Sequence, residues 1–170
     1  MKKCTCLFLG LVLFASCSGV DQPESGDLTT VVLVRHAEKM DDSEDPDLSE
    51  EGYRRADRLS EMLSRLQFDA VYSTPRVRTQ KTVEAIAERN DTVIEDYDHE
   101  QLDTLIPAWL NRHRGETILI SGHSNTTPPA SNLALGREHF EGKFDESDFG
   151  NIIIITRSQN GESKLLHLRY

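Results

Sequence analysis

Short apolar runs that end in charged or imidazole side chains constrain the fold of this 170-residue chain more than any other feature. The run Val31–Val34 predicts a buried strand, and Arg35 and His36 follow where that strand would emerge into a loop. Open α/β sheets bind ligands in the crevice at the carboxyl ends of their strands. A cation and an imidazole placed there can hold an anion, so the run predicts an α/β sheet with an anion site at one edge.

Two further strand ends repeat this pattern. The predicted strand ending at Ser73 leads to Arg78, and the strand ending at Ser121 leads through Gly122 to His123. Gly122 has no side chain and would let the backbone come close to a bound group. Arginine offers a planar fork to phosphoryl oxygens, and neutral imidazole is a nucleophile near neutral pH. Two arginines and two histidines from three strand ends therefore predict a phosphate pocket built around a nucleophilic histidine.

The remaining periodicity predicts alternating helices and strands. Helices are predicted after Ser49, which can cap the first of them, from 76 to 88, and over 102–110. A polar pair, Asn160-Gly161, between two apolar runs indicates a two-residue hairpin. We therefore predict a three-layer α/β/α sandwich over residues 28–170, with a mostly parallel mixed sheet and a C-terminal antiparallel hairpin. The side chains expected to face the sheet from the first helix are Tyr53, Ala56, Leu59, Met62, Leu63 and Leu66.

The charge balance restricts the kind of partner. The chain has 19 Lys and Arg against 29 Asp and Glu, which gives a formal net charge of −10. Binding to nucleic acid needs a basic surface, so no nucleic-acid partner is expected. A local pair of arginines can still dominate the field inside a cleft. The expected partner is a small-molecule phosphate ester, and the sequence leaves the oligomeric state open.

The N-terminal segment predicts export and a lipid anchor. A basic start and an apolar stretch too short to span a bilayer are typical of a signal peptide, here over residues 1–16. Its end resembles a bacterial lipobox, in which Cys17 would carry the lipid, and residues 17–27 form a polar tether. The expected location is the bacterial cell envelope, outside the cytoplasm. An ordinary secreted protein cleaved nearby is the alternative. Either cleavage would remove Cys4 and Cys6.

With these motifs in place, the chain resembles the histidine phosphatase superfamily, which has the phosphoglycerate-mutase-like fold. Arg35-His36-Ala37 matches the family's Arg-His-Gly/Ala signature, and Gly122-His123 matches its Gly-His motif. The segments 73–82 and 48–52 match Ser-x-Pro-x-x-Arg-x-x-x-Thr, loosely, and Leu-(Ser/Thr)-x-x-Gly. The resemblance implies a phosphatase in which His36 is phosphorylated and His123 assists, while Arg35 and Arg78 bind phosphate. It implies no cofactor, and the chain lacks the histidine spacing typical of a metal site.

One departure from the family concerns the proton donor. Many members carry a general-acid glutamate between the second arginine and the second histidine, and no such motif occurs here. Asp98 and Glu100 are candidates, although both also suit an acidic helix start. The missing acid and the short chain resemble the small phosphohistidine-phosphatase branch and disfavour a mutase. Glu38 is expected to pair with an arginine or to tune the pocket, with no catalytic step.

Two other functions fit parts of the sequence. Gly122 to Thr126 nearly matches the Gly-x-Ser-x-Gly elbow of serine hydrolases, with Ser124 as the nucleophile. Thr126 replaces the second glycine of that elbow, and this interpretation leaves Arg35 and Arg78 unexplained. A non-catalytic lipoprotein of the same fold that binds phosphorylated ligands is the other alternative.

Overall fold

The computed structural model describes residues 28–170; the predicted signal peptide, Cys17 and the tether lie outside the described residues. The described part contains six strands and four α-helices. In chain order they are β1 (Leu28–Arg35), α1 (Glu50–Met62), β2 (Ala70–Ser73), α2 (Val77–Arg89), β3 (Ile94–Asp96), α3 (Leu102–Arg112), β4 (Thr117–Gly122), α4 (Thr127–Leu135), β5 (Asn151–Ser158) and β6 (Ser163–Arg169). Between residues 28 and 170, no helix has the length and apolar character needed to cross a bilayer.

The strands form one mixed sheet in the order β3-β2-β4-β1-β5-β6. The first four strands of the chain run parallel, whereas β5 is antiparallel to both β1 and β6. In this register Arg35 lies opposite Gly122, and Ser73 lies opposite Ser121. The carboxyl ends of β1, β2 and β4 therefore meet at one edge, as predicted.

The sheet is buried on both faces, which confirms the three-layer prediction. On β1, Val32 and Val34 pack with α1 and α2, while Val31 and Leu33 pack with α3 and α4. Both faces of the strand are therefore apolar, which explains its continuous hydrophobic run.

The C-terminal hairpin is present, but its loop differs from the prediction. The Ser158 N–H donates to the Glu162 carbonyl at 2.9 Å, so the loop closed by this pair has three residues rather than two. Gly161 takes a φ of 90° there, a conformation that glycine adopts without steric cost. The Asn-Gly signal located the turn correctly and gave the wrong loop length.

Half of the side chains predicted to face the sheet from the first helix do not do so. Ala56, Leu59 and Leu63 are buried, whereas Tyr53, Met62 and Leu66 are 40%, 48% and 38% exposed. Met62 is one position away from Leu63 and so points about 100° off the buried stripe. Leu66 lies beyond the end of α1, and the hydroxyl of Tyr53 donates to Asp47 at the surface.

Helix α4 was not predicted from the sequence. Its first turn contains Pro128 and Pro129, where the missing N–H groups cost nothing because they would have no partner within the helix. Gly136 ends the helix with a left-handed φ of 75°. This combination of proline at the start and glycine after the end was a signal available in the sequence.

The start of α1 is fixed against the segment that follows His36. The hydroxyl of Ser49 accepts a hydrogen bond from the Gly52 N–H, which confirms the predicted cap, and the Ser49 N–H donates to the Glu38 carbonyl at 2.8 Å. A Cβ atom at Gly52 would lie 2.2 Å from that same carbonyl oxygen. Only glycine allows this approach, which accounts for the glycine of the Leu-Ser-x-x-Gly motif.

Gly52→Ala should therefore destabilise the protein, although alanine is normally favoured over glycine in a helix by about 1 kcal/mol. We expect the free energy of unfolding in urea to fall by about 1–3 kcal/mol, because the methyl group displaces the Glu38 carbonyl. Asp57→Ala, at an exposed position of the same helix, is the matched control and should change it by less than about 0.5 kcal/mol. A stability equal to or above that of the unsubstituted protein for Gly52→Ala would refute the packing argument.

Candidate active site

A pocket of about 370 Å³ opens at the edge where β1, β2 and β4 end. All four predicted site residues line it: Arg35, His36, Arg78 and His123. The sheet register explains this convergence, since each residue follows one of three adjacent strand ends. The pocket wall also includes Lys39, Glu44, Arg76, His99, Ser124 and Glu146.

His36 is held by its backbone and by one ring nitrogen. Its N–H donates to the Gly122 carbonyl at 2.9 Å, and its Nδ1 lies 2.7 Å from the Ala37 carbonyl oxygen. A carbonyl can only accept, so Nδ1 carries the proton and Nε2 keeps its lone pair in the neutral ring. The Ala37 N–H donates to the Thr82 hydroxyl at 2.9 Å, which fixes the peptide that holds the histidine.

Both site histidines are neutral near neutral pH. Burial lowers the pKa of His36 to about 4. The charges of Arg35 and Arg78 also lower this pKa, whereas the hydrogen bond to Ala37 raises it. Burial also lowers the pKa of His123 to about 3, with further contributions from His36 and Arg78. The two ring centroids are 5.4 Å apart. An imidazole that is unprotonated at neutral pH is available as a nucleophile.

Arg35 is engaged differently from the prediction. Its two terminal nitrogens donate to the carbonyls of Asp145 and Asp148 and to the carboxylate of Glu146, at 2.8–3.1 Å. Its guanidinium also lies 4.1 Å from the ring centroid of Phe149. The predicted free fork is therefore occupied by the segment 145–149. Only its Nε, which is buried, has no partner among the described residues.

Arg78 leaves more of its donors available. It follows Pro75 in the first turn of α2, and Nη1 makes a long ion pair of 3.4 Å with Asp45. Asp45 also accepts a hydrogen bond from the Val77 N–H. Burial, the largest cause, lowers the pKa of Arg78, but arginine remains charged in proteins. Arg78 can therefore offer a cation to an anion in the pocket.

His123 is held by two threonines. Its Nε2 lies 2.9 Å from the Thr74 hydroxyl, and its N–H donates to the Thr126 hydroxyl at 2.8 Å. A Cβ at Gly122 would lie 2.9 Å from the Thr126 hydroxyl and 3.1 Å from that of Tyr97. Protein side chains thus occupy the space beside Gly122 that the sequence analysis assigned to a bound group.

The interval expected to supply a proton donor contains a residue that the sequence analysis did not single out. His99 begins a 3₁₀ turn, lines the pocket and lies 6.1 Å from His123 between ring centroids. The Asp98 carboxylate accepts from the Glu100 N–H and from the Gln101 amide, so it caps that turn. Neither Asp98 nor Glu100 lines the pocket with His36. The helix-start role of Asp98 and Glu100 therefore fits the structure better. His99 stands in an acidic stretch and matches no motif, so nothing in the sequence marked it as a site residue.

Two other predicted residues have structural partners. Glu38 forms a bidentate ion pair with Arg55 at 2.6–2.8 Å, and Arg55 also donates to the Tyr170 carbonyl. This is the arginine pairing that was expected of it. The Ser124 hydroxyl donates to Glu146 at 2.9 Å instead of to a histidine, so the described residues do not form the Ser-His hydrogen bond of a serine hydrolase.

Metal coordination has no ready site in the part of the chain that the structure describes. No group of three or more His, Cys, Asp or Glu side chains there is arranged to hold an ion. The described pocket instead combines two neutral imidazoles with arginines, which suits an anion.

Comparisons with known proteins agree with this chemistry. Residues 31–104 match the histidine phosphatase superfamily (branch 1). Phosphoserine phosphatase 1 of Hydrogenobacter thermophilus is 40% identical over an alignment of 77 residues, and the match covers 41% of this chain. The chain spans 36% of the length of that relative.

Solved structures share the fold at low identity. The histidine phosphatase SixA in complex with tungstate is 15% identical with a TM-score of 0.64, and the match covers 82% of this chain and 96% of SixA. A phosphoserine phosphatase mutant from Entamoeba histolytica, in complex with phosphoserine, is 16% identical with a TM-score of 0.60, covering 81% and 94% of the two chains. The chain is thus similar to the histidine phosphatase superfamily over residues 31–104, and it shares its fold with these solved structures.

Proposed function

We propose that the protein is a phosphatase that hydrolyses phosphate monoesters through a phosphohistidine intermediate on His36. The observation that carries the proposal is the state of this ring: Nδ1 donates to Ala37, and Nε2 is free in a neutral imidazole at the pocket. A nucleophile needs this combination of fixed orientation and available lone pair. The similarity of residues 31–104 to the histidine phosphatase superfamily supports the same activity.

The reaction has two steps. In the first, Nε2 of His36 attacks phosphorus, the N–P bond forms, and the ester P–O bond breaks as the alcohol oxygen takes a proton. In the second, water attacks the phosphohistidine, the N–P bond breaks, and inorganic phosphate leaves. Catalysis of phosphoryl transfer relies on positioning and charge stabilisation. Arg78 and His123 supply these at the pocket wall, and Arg35 contributes its buried positive charge beside His36.

The proposed substrate class is a small phosphate ester. The pocket volume of about 370 Å³ admits a compact molecule, and its cations lie within a chain of net charge −10. The resemblance to a phosphoserine phosphatase over 77 residues is consistent with a substrate of this size. We further propose that Cys17 anchors the enzyme to the bacterial envelope, so that its substrate is met outside the cytoplasm.

His36→Ala should abolish hydrolysis of aryl phosphates. We expect kcat to fall on the order of 10³-fold or more, as in other enzymes that lose their nucleophile. Ser124→Ala is the matched control at the same pocket and should retain most of the activity, because its hydroxyl only donates to Glu146.

The opposite pattern, with activity lost in the Ser124 variant and kept in the His36 variant, would favour a serine hydrolase. A wild-type protein that binds vanadate but turns over no aryl phosphate would favour the non-catalytic binding lipoprotein.

The His36 imidazole should remain neutral well below the ordinary histidine pKa of about 6.5. Its folded pKa of about 4 means that the ring gains a proton only as the pH falls through that value, so nucleophilic capacity is lost there. Imidazole ¹⁵N NMR should show the Nδ1–H neutral form from about pH 7 to about pH 5. A midpoint near 6.5 for His36, assigned with the His36→Ala variant, would contradict the buried neutral nucleophile.

Cys17→Ala should release the protein from membranes if the lipid anchor is correct. The wild type should incorporate a fatty-acid label in bacteria and partition into detergent, because acyl chains supply the membrane affinity. The variant should do neither. An unlabelled wild type that is secreted in soluble form would replace the lipoprotein hypothesis with ordinary secretion.

A further inference from the structure

We infer that His99 is the proton donor to the leaving group and, in the second step, the base that activates water. This inference rests on the proposed phosphatase function. It assigns the proton donor to a residue between Arg78 and His123, the interval in which a donor was expected. Neither of the acidic candidates, Asp98 and Glu100, lines the pocket with His36.

The position of His99 in the fold brings its ring to the phosphate pocket. His99 stands at the start of the 3₁₀ turn His99–Gln101, after β3, and lines the same pocket as His36 and His123. Its ring lies against His123 at 6.1 Å between centroids, while His123 lies 5.4 Å from His36. The Asp98 carboxylate fixes the turn by accepting from the Glu100 N–H at 2.9 Å and from the Gln101 amide at 3.0 Å. The backbone that carries His99 is therefore braced.

The reaction needs a donor at the outer side of the pocket. Attack by Nε2 of His36 is in line, so the leaving oxygen lies on the far side of phosphorus from this buried ring. An alkyl or phenyl leaving group departs slowly as an anion, and general-acid catalysis typically accelerates such a step by about 10²–10⁴-fold. His99 is exposed at the pocket wall, where the leaving group would emerge and where water can restore its proton.

Other side chains of the pocket are less suited to give a proton. Glu146 hydrogen-bonds Lys143 and Ser124 and pairs with Arg35, and these contacts hold its pKa below the ordinary value, so it is ionised. Burial keeps His123 neutral, with a pKa of about 3. Lys39 is paired with Asp42.

Glu44 and His99 are the two titratable side chains that remain at this part of the described pocket wall. Histidine can both give and take a proton near neutral pH, which the two steps require. His99 also lies against His123, whereas Glu44 belongs to the exposed acidic segment after the first strand.

His99 would pass one proton in each step. As the N–P bond to His36 forms and the P–O bond breaks, the imidazolium of His99 gives its proton to the alcohol oxygen. Neutral His99 then accepts a proton from the attacking water as its oxygen bonds to phosphorus and the N–P bond breaks. His99 ends the cycle protonated, and no further reactant is needed.

The test uses a series of aryl phosphates whose leaving phenols range from acidic (2,4-dinitrophenol) to weakly acidic (phenol). The measured quantity is kcat/KM, which reports the first step. For His99→Asn we expect a loss of about 10²-fold or more with phenyl phosphate and a much smaller loss with the dinitrophenyl ester, because that anion departs without a proton. The plot of log kcat/KM against phenol pKa should steepen. His99→Glu should partly restore activity on phenyl phosphate, because its carboxyl group can also give a proton.

Glu100→Gln is the matched control on the same turn, outside the pocket, and should leave the slope unchanged. An equal loss of His99→Asn across the whole series would overturn the inference, since a structural or binding role does not depend on the leaving group. A steeper slope in Glu44→Gln with none in His99→Asn would transfer the role to Glu44. A wild type inactive on every ester would instead defeat the phosphatase proposal itself, and the His99 assignment with it.

Discussion

The parallel pairing of β4 with β1 on one side and β2 on the other is the constraint on which the site depends. This pairing sets Arg35 opposite Gly122 and Ser73 opposite Ser121, so three chain segments leave the sheet side by side. The His36 N–H then donates to the Gly122 carbonyl, which joins the two histidine loops directly. A shift of one residue in this register would turn every side chain of β1, and His36 after it, to the other face of the sheet.

Burial then determines the chemistry at that edge. Removing His36 and His123 from water disfavours their charged forms, and the nearby arginines disfavour them further. The result is a pair of neutral rings beside permanent cations, in a protein of net charge −10. Glu146 balances the positive charge of Arg35 from the segment after α4. Local charge at the site thus opposes the charge of the whole molecule, which is how an acidic protein can hold an anion.

The sequence allowed prediction of the features that are written in local patterns. Apolar runs gave the strands, Ser49 gave the cap of α1, and the strand-end residues converged as expected. Contacts between distant segments gave no such pattern. The 145–148 segment occupies Arg35 from 110 residues away in the chain, and His99 reaches the pocket only because β3 pairs with β2. Helix α4 was not predicted because it is short and rich in small and polar residues, which form no clear apolar stripe. The prolines at its start and the glycine after its end were visible in the sequence.

The central claim is that His36 carries the phosphoryl group during turnover. Mixing the full-length protein with a labelled phosphoryl donor, quenching within the first turnover and mapping the label tests it directly. We expect a phosphoryl group on His36 that is labile in acid and stable in base, since an N–P bond behaves in this way. Label on Ser124, or turnover with no label on His36 in either the wild type or a His123→Ala variant that would slow its release, would contradict it.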